Sequence, residues 1–81
     1  MRVNILLFGI TKDLIGKQHL QQELPSEMVT VSDFKKFLLE KYPELIELDS
    51  LAIAVNSEYA NDNVMIHEND EIALIPPVSG G

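Results

Sequence analysis

One stretch of the chain has helical periodicity, and it limits the fold more than any other feature. Val31, Phe34, Phe37, Leu38 and Tyr42 recur at spacings of three and four, while Lys35, Lys36, Glu40 and Lys41 fall on the opposite side. Thr30 is placed to cap this helix, with Asp33 three residues on as the acid of a capping box. Pro43 disfavours helical geometry at Tyr42 and stops it there. A lone amphipathic helix must bury its apolar face against something else, and the flanking segments alternate with a period of two. The pattern predicts an α+β fold with one main helix packed on one face of a sheet.

The first extended segment, Met1 to Ile10, puts Val3, Ile5 and Leu7 on one face and Asn4, Leu6 and Phe8 on the other. Apolar residues on both faces read as a central strand. Gly9 and the segment from Thr11 to Gly16 interrupt it, with a single turn expected at Asp13-Leu14-Ile15. Gln18 to Leu24 alternates weakly and reads as a solvent-facing second strand, broken by Pro25 and Ser26. Pro43 to Ser50 reads as a loop, and Leu51 to Asn56 as a third strand. A short edge strand is expected at Tyr59 within the polar segment Ser57 to Asn63. After Val64-Met65-Ile66, residues His67 to Asp70 form a turn, and Glu71 to Ile75 is the last strand. If Val3, Ile5 and Leu7 face the helix, then Leu6 and Phe8 point away from it. In the last strand the same alternation puts Ile72 and Leu74 inward, Ala73 and Ile75 outward.

Eighty-one residues make one small domain, and 46% hydrophobic content suffices for a packed core. The absence of cysteine excludes disulfides, thiolate metal sites and a cysteine nucleophile, and fits a reducing compartment. A formal net charge of −7 disfavours nucleic acid and anionic membranes and favours basic protein partners. The apolar run Val3 to Ile10 is too short for a membrane span and has no signal-peptide cleavage site, so a cytoplasmic location is expected. No metal site is expected: His19 and His67 are isolated, and Glu68 to Glu71 lacks the donor spacing of a calcium loop. Ser26, Ser32, Ser57 and Ser79 have no neighbouring histidine in a nucleophile motif, and neither Phe8-Gly9 nor Gly16 has phosphate-loop spacing.

The C-terminal six residues are different in kind. Two of the four prolines and two of the four glycines lie here, as Pro76, Pro77, Gly80 and Gly81. The prolines end strand pairing at Ile75 and send the chain outward in extended form, dividing it into a domain at 1–75 and a tail at 76–81. Six extended residues at ~3.3 to 3.6 Å each span roughly 20 Å. Gly80 and Gly81 carry no side chains, so the final carboxylate fits a channel too narrow for any other pair.

The segment Asp70-Glu71-Ile72-Ala73-Leu74-Ile75-Pro76-Pro77-Val78-Ser79-Gly80-Gly81 resembles the C-terminal signature of the small, sulfur-carrying subunit of molybdopterin synthase, the MoaD family. Ala54-Val55-Asn56 resembles its third-strand motif, and Ile5-Leu6-Leu7-Phe8-Gly9 with Asp13-Leu14 its first strand and following turn. Gln18 to Val29 matches no motif. The resemblance implies a ubiquitin-like β-grasp, with first and last strands side by side and parallel in the middle of a mixed sheet. It also implies a role in molybdenum cofactor biosynthesis. The carboxylate of Gly81, an anion at neutral pH and a poor electrophile, would be adenylated by an activating enzyme that uses ATP and magnesium. A sulfur donor would convert it to a thiocarboxylate, and the large catalytic subunit would use that sulfur on a cyclic pyranopterin precursor.

On this resemblance Gly81 carries the transferred atom, Gly80 gives clearance, Val78 and Ser79 lie along the tail, and Pro76 and Pro77 aim it. No residue of the chain serves as catalytic acid or base, the domain holds no cofactor of its own, and two small and two large subunits form a heterotetramer. Alternation together with the resemblance nominates Phe8, Tyr59 and Ile75 as the partner surface. The alternatives are a sulfur carrier for tRNA thiolation or thiamine thiazole synthesis, and a ubiquitin-like interaction module or protein modifier.

Overall fold

The two-faced apolar pattern of the first strand has a direct structural cause: it lies inside the sheet, with a neighbour on each side. A computed structural model describes residues 1–25, 29–47 and 51–76, with backbone alone at 46 and 47. Along the chain come β1 (Arg2–Leu7), α1 (Gly9–Ile15), β2 (His19–Glu23), β3 (Val29–Thr30) and α2 (Val31–Lys41). A 3-10 helix (Pro43–Glu47), β4 (Ala52–Val55), β5 (Glu58–Tyr59), β6 (Met65–Ile66) and β7 (Glu71–Ile75) follow. The main sheet has the order β2-β1-β7-β4-β5. β1 runs antiparallel to β2, from Arg2 opposite Glu23 to Leu6 opposite His19. It runs parallel to β7, from Asn4 opposite Glu71 to Leu7 opposite Leu74. β7 is antiparallel to β4, and β4 to β5. This is the expected β-grasp, with first and last strands parallel at its centre.

α2 crosses one face of the sheet and buries Val31, Phe34 and Leu38 among Val3, Ile5, Leu7, Ile53, Ile72 and Leu74. Its start follows the expected capping box: Asp33 N–H donates to Thr30 Oγ1 at 3.2 Å, and Thr30 N–H donates to Asp33 Oδ2 at 3.3 Å. The two N–H groups between them are taken by the segment before β6, Val31 donating to the Val64 carbonyl and Ser32 to that of Asp62. The first-turn donors are therefore satisfied within the fold. β3 and β6 form a separate two-stranded ladder beside this junction.

Three expectations need correction. The single turn at Asp13-Leu14-Ile15 is a seven-residue helix, α1, and β1 ends at Leu7 rather than Ile10. Thr11 reaches back to the Phe8 backbone, Gly9 turns the chain at φ +53°, and Gly16 closes the helix at φ +84° with its N–H on the Lys12 carbonyl. The loop from Pro43 to Ser50 contains a 3-10 helix that carries Leu45 into the core. Residues 48–50 of that loop lie outside the described residues. The second strand is solvent-facing on one side alone: His19, Gln21 and Glu23 are exposed, whereas Gln22 is buried and Leu20 half-buried, and Leu24 just beyond the strand is buried. Among the described residues no helix is long and apolar enough to cross a membrane.

Candidate functional site

Because α2 occupies one face of the sheet, the other face is open, and the period of two decides what it shows. Register brings four residues into one row across four strands: Leu6 on β1, Ala73 on β7, Ala54 on β4 and Tyr59 on β5. The alanines keep the middle of the row low. Phe8 lies two residues beyond Leu6, and Ile75 two beyond Ala73, toward the end of the sheet where the tail departs. The result is a groove of about 290 Å³ lined by Leu6, Phe8, Ala54, Ser57, Tyr59, Glu71, Ala73 and Ile75. Its walls are large apolar side chains that stand in water, Phe8 at 46% exposure and Tyr59 at 77%. Glu71 alone among the described lining residues is charged at neutral pH. Open apolar walls with a single charged group suit the docking of a partner better than acid–base chemistry.

Phe8, Tyr59 and Ile75, nominated from the sequence, all line this groove. Alternation alone left Ala54 out, because its role as part of the floor depends on the Ala54–Ala73 register, which is a long-range pairing. Pro76 follows Ile75 directly and rests, half-buried, against Gly9: a β-carbon at Gly9 would sit 3.1 Å from Pro76 Cγ. The tail is therefore rooted at the end of the groove. Pro77, Val78, Ser79, Gly80 and Gly81 lie outside the described residues.

The motif around Asn56 has a structural function. Asn56 adopts a left-handed conformation, φ +51°, at the exit of β4. Its Nδ2 donates to Asp70 Oδ1 at 3.0 Å, its Oδ1 accepts from Glu71 N–H at 3.0 Å, and its own N–H donates to the Glu71 carbonyl at 2.7 Å. Asn56 thereby fixes where β7 begins, and with it the register of the groove. Asp70 Oδ2 also accepts from His67 N–H at 2.7 Å, tightening the turn before β7. A larger hollow of about 370 Å³ lies behind β5 and includes Asn56 and Asp70. Their amide and carboxylate are already bonded to one another, and the hollow lines neither Ile75 nor Pro76. His19 and His67 are both exposed, on separate elements.

Comparison with known proteins accords with this geometry. The ThiS family model matches residues 5–81. The molybdopterin synthase sulfur carrier subunit of Dictyostelium discoideum is 41% identical over 80 residues, covering 95% of this chain and 93% of its own length. Among solved structures, SAMP1 from Haloferax volcanii is similar with a TM-score of 0.85 at 26% identity over all of both chains. The complex of subunits 1 and 2 of molybdopterin-converting factor from Helicobacter pylori contains a chain similar with a TM-score of 0.69 at 28% identity, again over all of both chains.

Proposed function

We propose a function from the premise that this chain belongs to the ThiS family, among the molybdopterin synthase sulfur carrier subunits: it carries sulfur on the C-terminal carboxyl of Gly81. The observation that carries this reading is end-to-end similarity to sulfur carrier subunits, joined to an open apolar groove rooted at the tail. An activating enzyme uses ATP and magnesium to form an acyl-adenylate on Gly81, releasing pyrophosphate. A sulfur donor then attacks the acyl carbon, AMP leaves, and a thiocarboxylate remains. Its sulfur, a good nucleophile, is given to a cyclic pyranopterin precursor in the pocket of a large catalytic subunit, which supplies the acids and bases. The activating enzyme and then that subunit dock on the same groove of Phe8, Tyr59 and Ile75, and the presence of subunits 1 and 2 in one Helicobacter pylori complex supports the second of these contacts. The reducing cytoplasm is the compartment that fits this chemistry and a chain without cysteine.

Mass spectrometry of the intact protein and of its C-terminal peptide, after incubation with ATP, the host's adenylating enzyme and a sulfur source, tests the reading. Exchange of oxygen for sulfur is expected at Gly81. Oxidation of Met1, Met28 or Met65 adds nearly the same mass, so the peptide must localise the change. No conversion by a demonstrably active enzyme overturns the proposal. Replacing Gly81 by a larger residue should leave the fold intact and abolish conversion and transfer. The likeness to SAMP1, an archaeal modifier protein by name, favours a second reading in which Gly81 is joined to target lysines. Lysine conjugates in cell lysate would mark it, whereas sulfur transfer to the precursor and large subunit separates molybdopterin synthesis from other thiolation pathways.

A further inference from the structure

Thr11 is wholly buried, and its hydroxyl spends both of its bonds on one residue. Thr11 Oγ1 donates to the Phe8 carbonyl at 2.6 Å and accepts from Phe8 N–H at 3.0 Å. Phe8 lies beyond the last paired residue of β1, yet this double clamp holds it extended, at φ −125° and ψ 153°. Extended geometry carries the strand's alternation one residue past the ladder, and so the Phe8 ring stays on the open face beside the groove. The next residue, Gly9, turns the chain at φ +53° and leaves a bare surface on which the Pro76 ring rests. A side chain there would meet Pro76 and be strained by the backbone as well. One corner of three residues thus touches both the partner groove and the root of the tail. Proline fixes its own φ, so the place where its ring lodges sets the direction in which its Cα–C bond leaves.

We propose that the β1–α1 corner registers the tail against the docking groove: Thr11 is a positioning residue acting through Phe8, and Gly9 is the seat that sets the exit direction at Pro76. This rests on the reading of groove and tail given above. A partner seated on Phe8 then meets Pro76, the root of the tail, in a fixed place. Docking and presentation of the carboxylate become one geometric event.

Three variants test it. Thr11→Val keeps shape and loses both hydrogen bonds, Thr11→Ser keeps the hydroxyl, and Gly9→Ala adds the β-carbon at an exposed position where folding should survive. Each is compared with wild type by thermal unfolding and by steady-state pyrophosphate release with the host's adenylating enzyme, ATP and a sulfur source that consumes the acyl-adenylate. Thr11→Val should raise KM roughly tenfold, since it frees Phe8 beside the groove, and should lower kcat as well, since the seat next to Phe8 loosens with it; Thr11→Ser should restore both values. Gly9→Ala should lower kcat roughly tenfold or more, since it moves the tail, with KM nearly unchanged. A merely structural role would lower the melting temperature and the active fraction while leaving KM unmoved. Wild-type KM in folded Thr11→Val, or wild-type kcat in Gly9→Ala, overturns the proposal. Proton–proton contacts between Gly9 and the Pro76 ring, read by NMR without any partner, separate this idea from the functional one. Their presence in wild type and Thr11→Ser and their loss in Thr11→Val is expected even if the enzyme turns over none of the proteins. Their persistence in Thr11→Val, or their absence in wild type, overturns the seat whatever the enzyme does. Should Thr11→Val not fold, wild-type contacts and kcat in Gly9→Ala overturn it, and their loss supports it.

Discussion

The N-terminal ammonium of Met1 is part of the fold. It lies 3.0 Å from Glu23 Oε2 and donates to the Leu24 carbonyl at 3.1 Å, while Arg2 Nε approaches the other carboxylate oxygen at 3.7 Å. The hydrogen bond from the ammonium, then its charge, hold the Glu23 carboxyl below the ordinary glutamate value of 4.5, and Arg2 adds less. A carboxyl with a lower pKa folded than unfolded contributes stability above its unfolded value and loses it as the pH falls through the folded one. Glu23→Gln should therefore lower the urea midpoint at neutral pH and lose that difference below the folded pKa. Urea titrations from neutral to acid pH check this. Because the carboxylate is exposed, added salt should shrink the difference. Acetylating the Met1 amine should act in the same direction, since it removes the charge that Glu23 faces.

Among the elements, α2 shows what local chemistry decides. Thr30→Ala removes the acceptor for Asp33 N–H and should cost about 1 kcal/mol, seen as a lower urea midpoint with an unchanged slope. Thr30, Asp33 and Pro43 made this helix legible because cap, acid and stop are neighbours in sequence. β1, β4 and β7 were legible from alternation, and Phe8 and Ile75 with them. α1 was not, because its start depends on the Thr11 clamp and on Gly9 packing beside Pro76, a residue far along the chain. The ladder of β3 with β6 was equally hidden, since two residues per strand show no period. Leu45 looked like a loop residue for a similar reason: its burial follows from where the 3-10 helix lands on the core, not from its neighbours. On the open face, Phe8→Ala and Ile75→Ala should each weaken large-subunit binding by about 1 to 2 kcal/mol. Phe8→Ala should leave stability nearly unchanged because the ring is already half in water. Calorimetric affinity alongside thermal unfolding checks both, and near wild-type binding by both variants would remove the groove as the docking surface.

The whole molecule is closed by a pairing between its extremes, β1 beside β7, so much of its core exists only once distant segments meet. Such long-range contacts slow folding relative to helical domains of similar size. Leu74 is fully buried where these strands join α2, and Leu74→Ala should cost about 2 to 5 kcal/mol. Against a total of roughly 5 to 15 kcal/mol, that is a large share of the stability, and it should appear as a clearly lower melting temperature. The net charge of −7 acts at this scale too: association with a basic partner should slow as ionic strength rises. The position of β7 has a mechanical consequence. The tail continues from a strand hydrogen-bonded on both sides, to β1 and to β4, and those bonds lie across the strand direction. A pull along the strand direction from Pro76 loads both ladders in shear, all bonds together, instead of peeling them one at a time. A partner that draws the tail into a narrow channel can therefore tug on the domain without unravelling it.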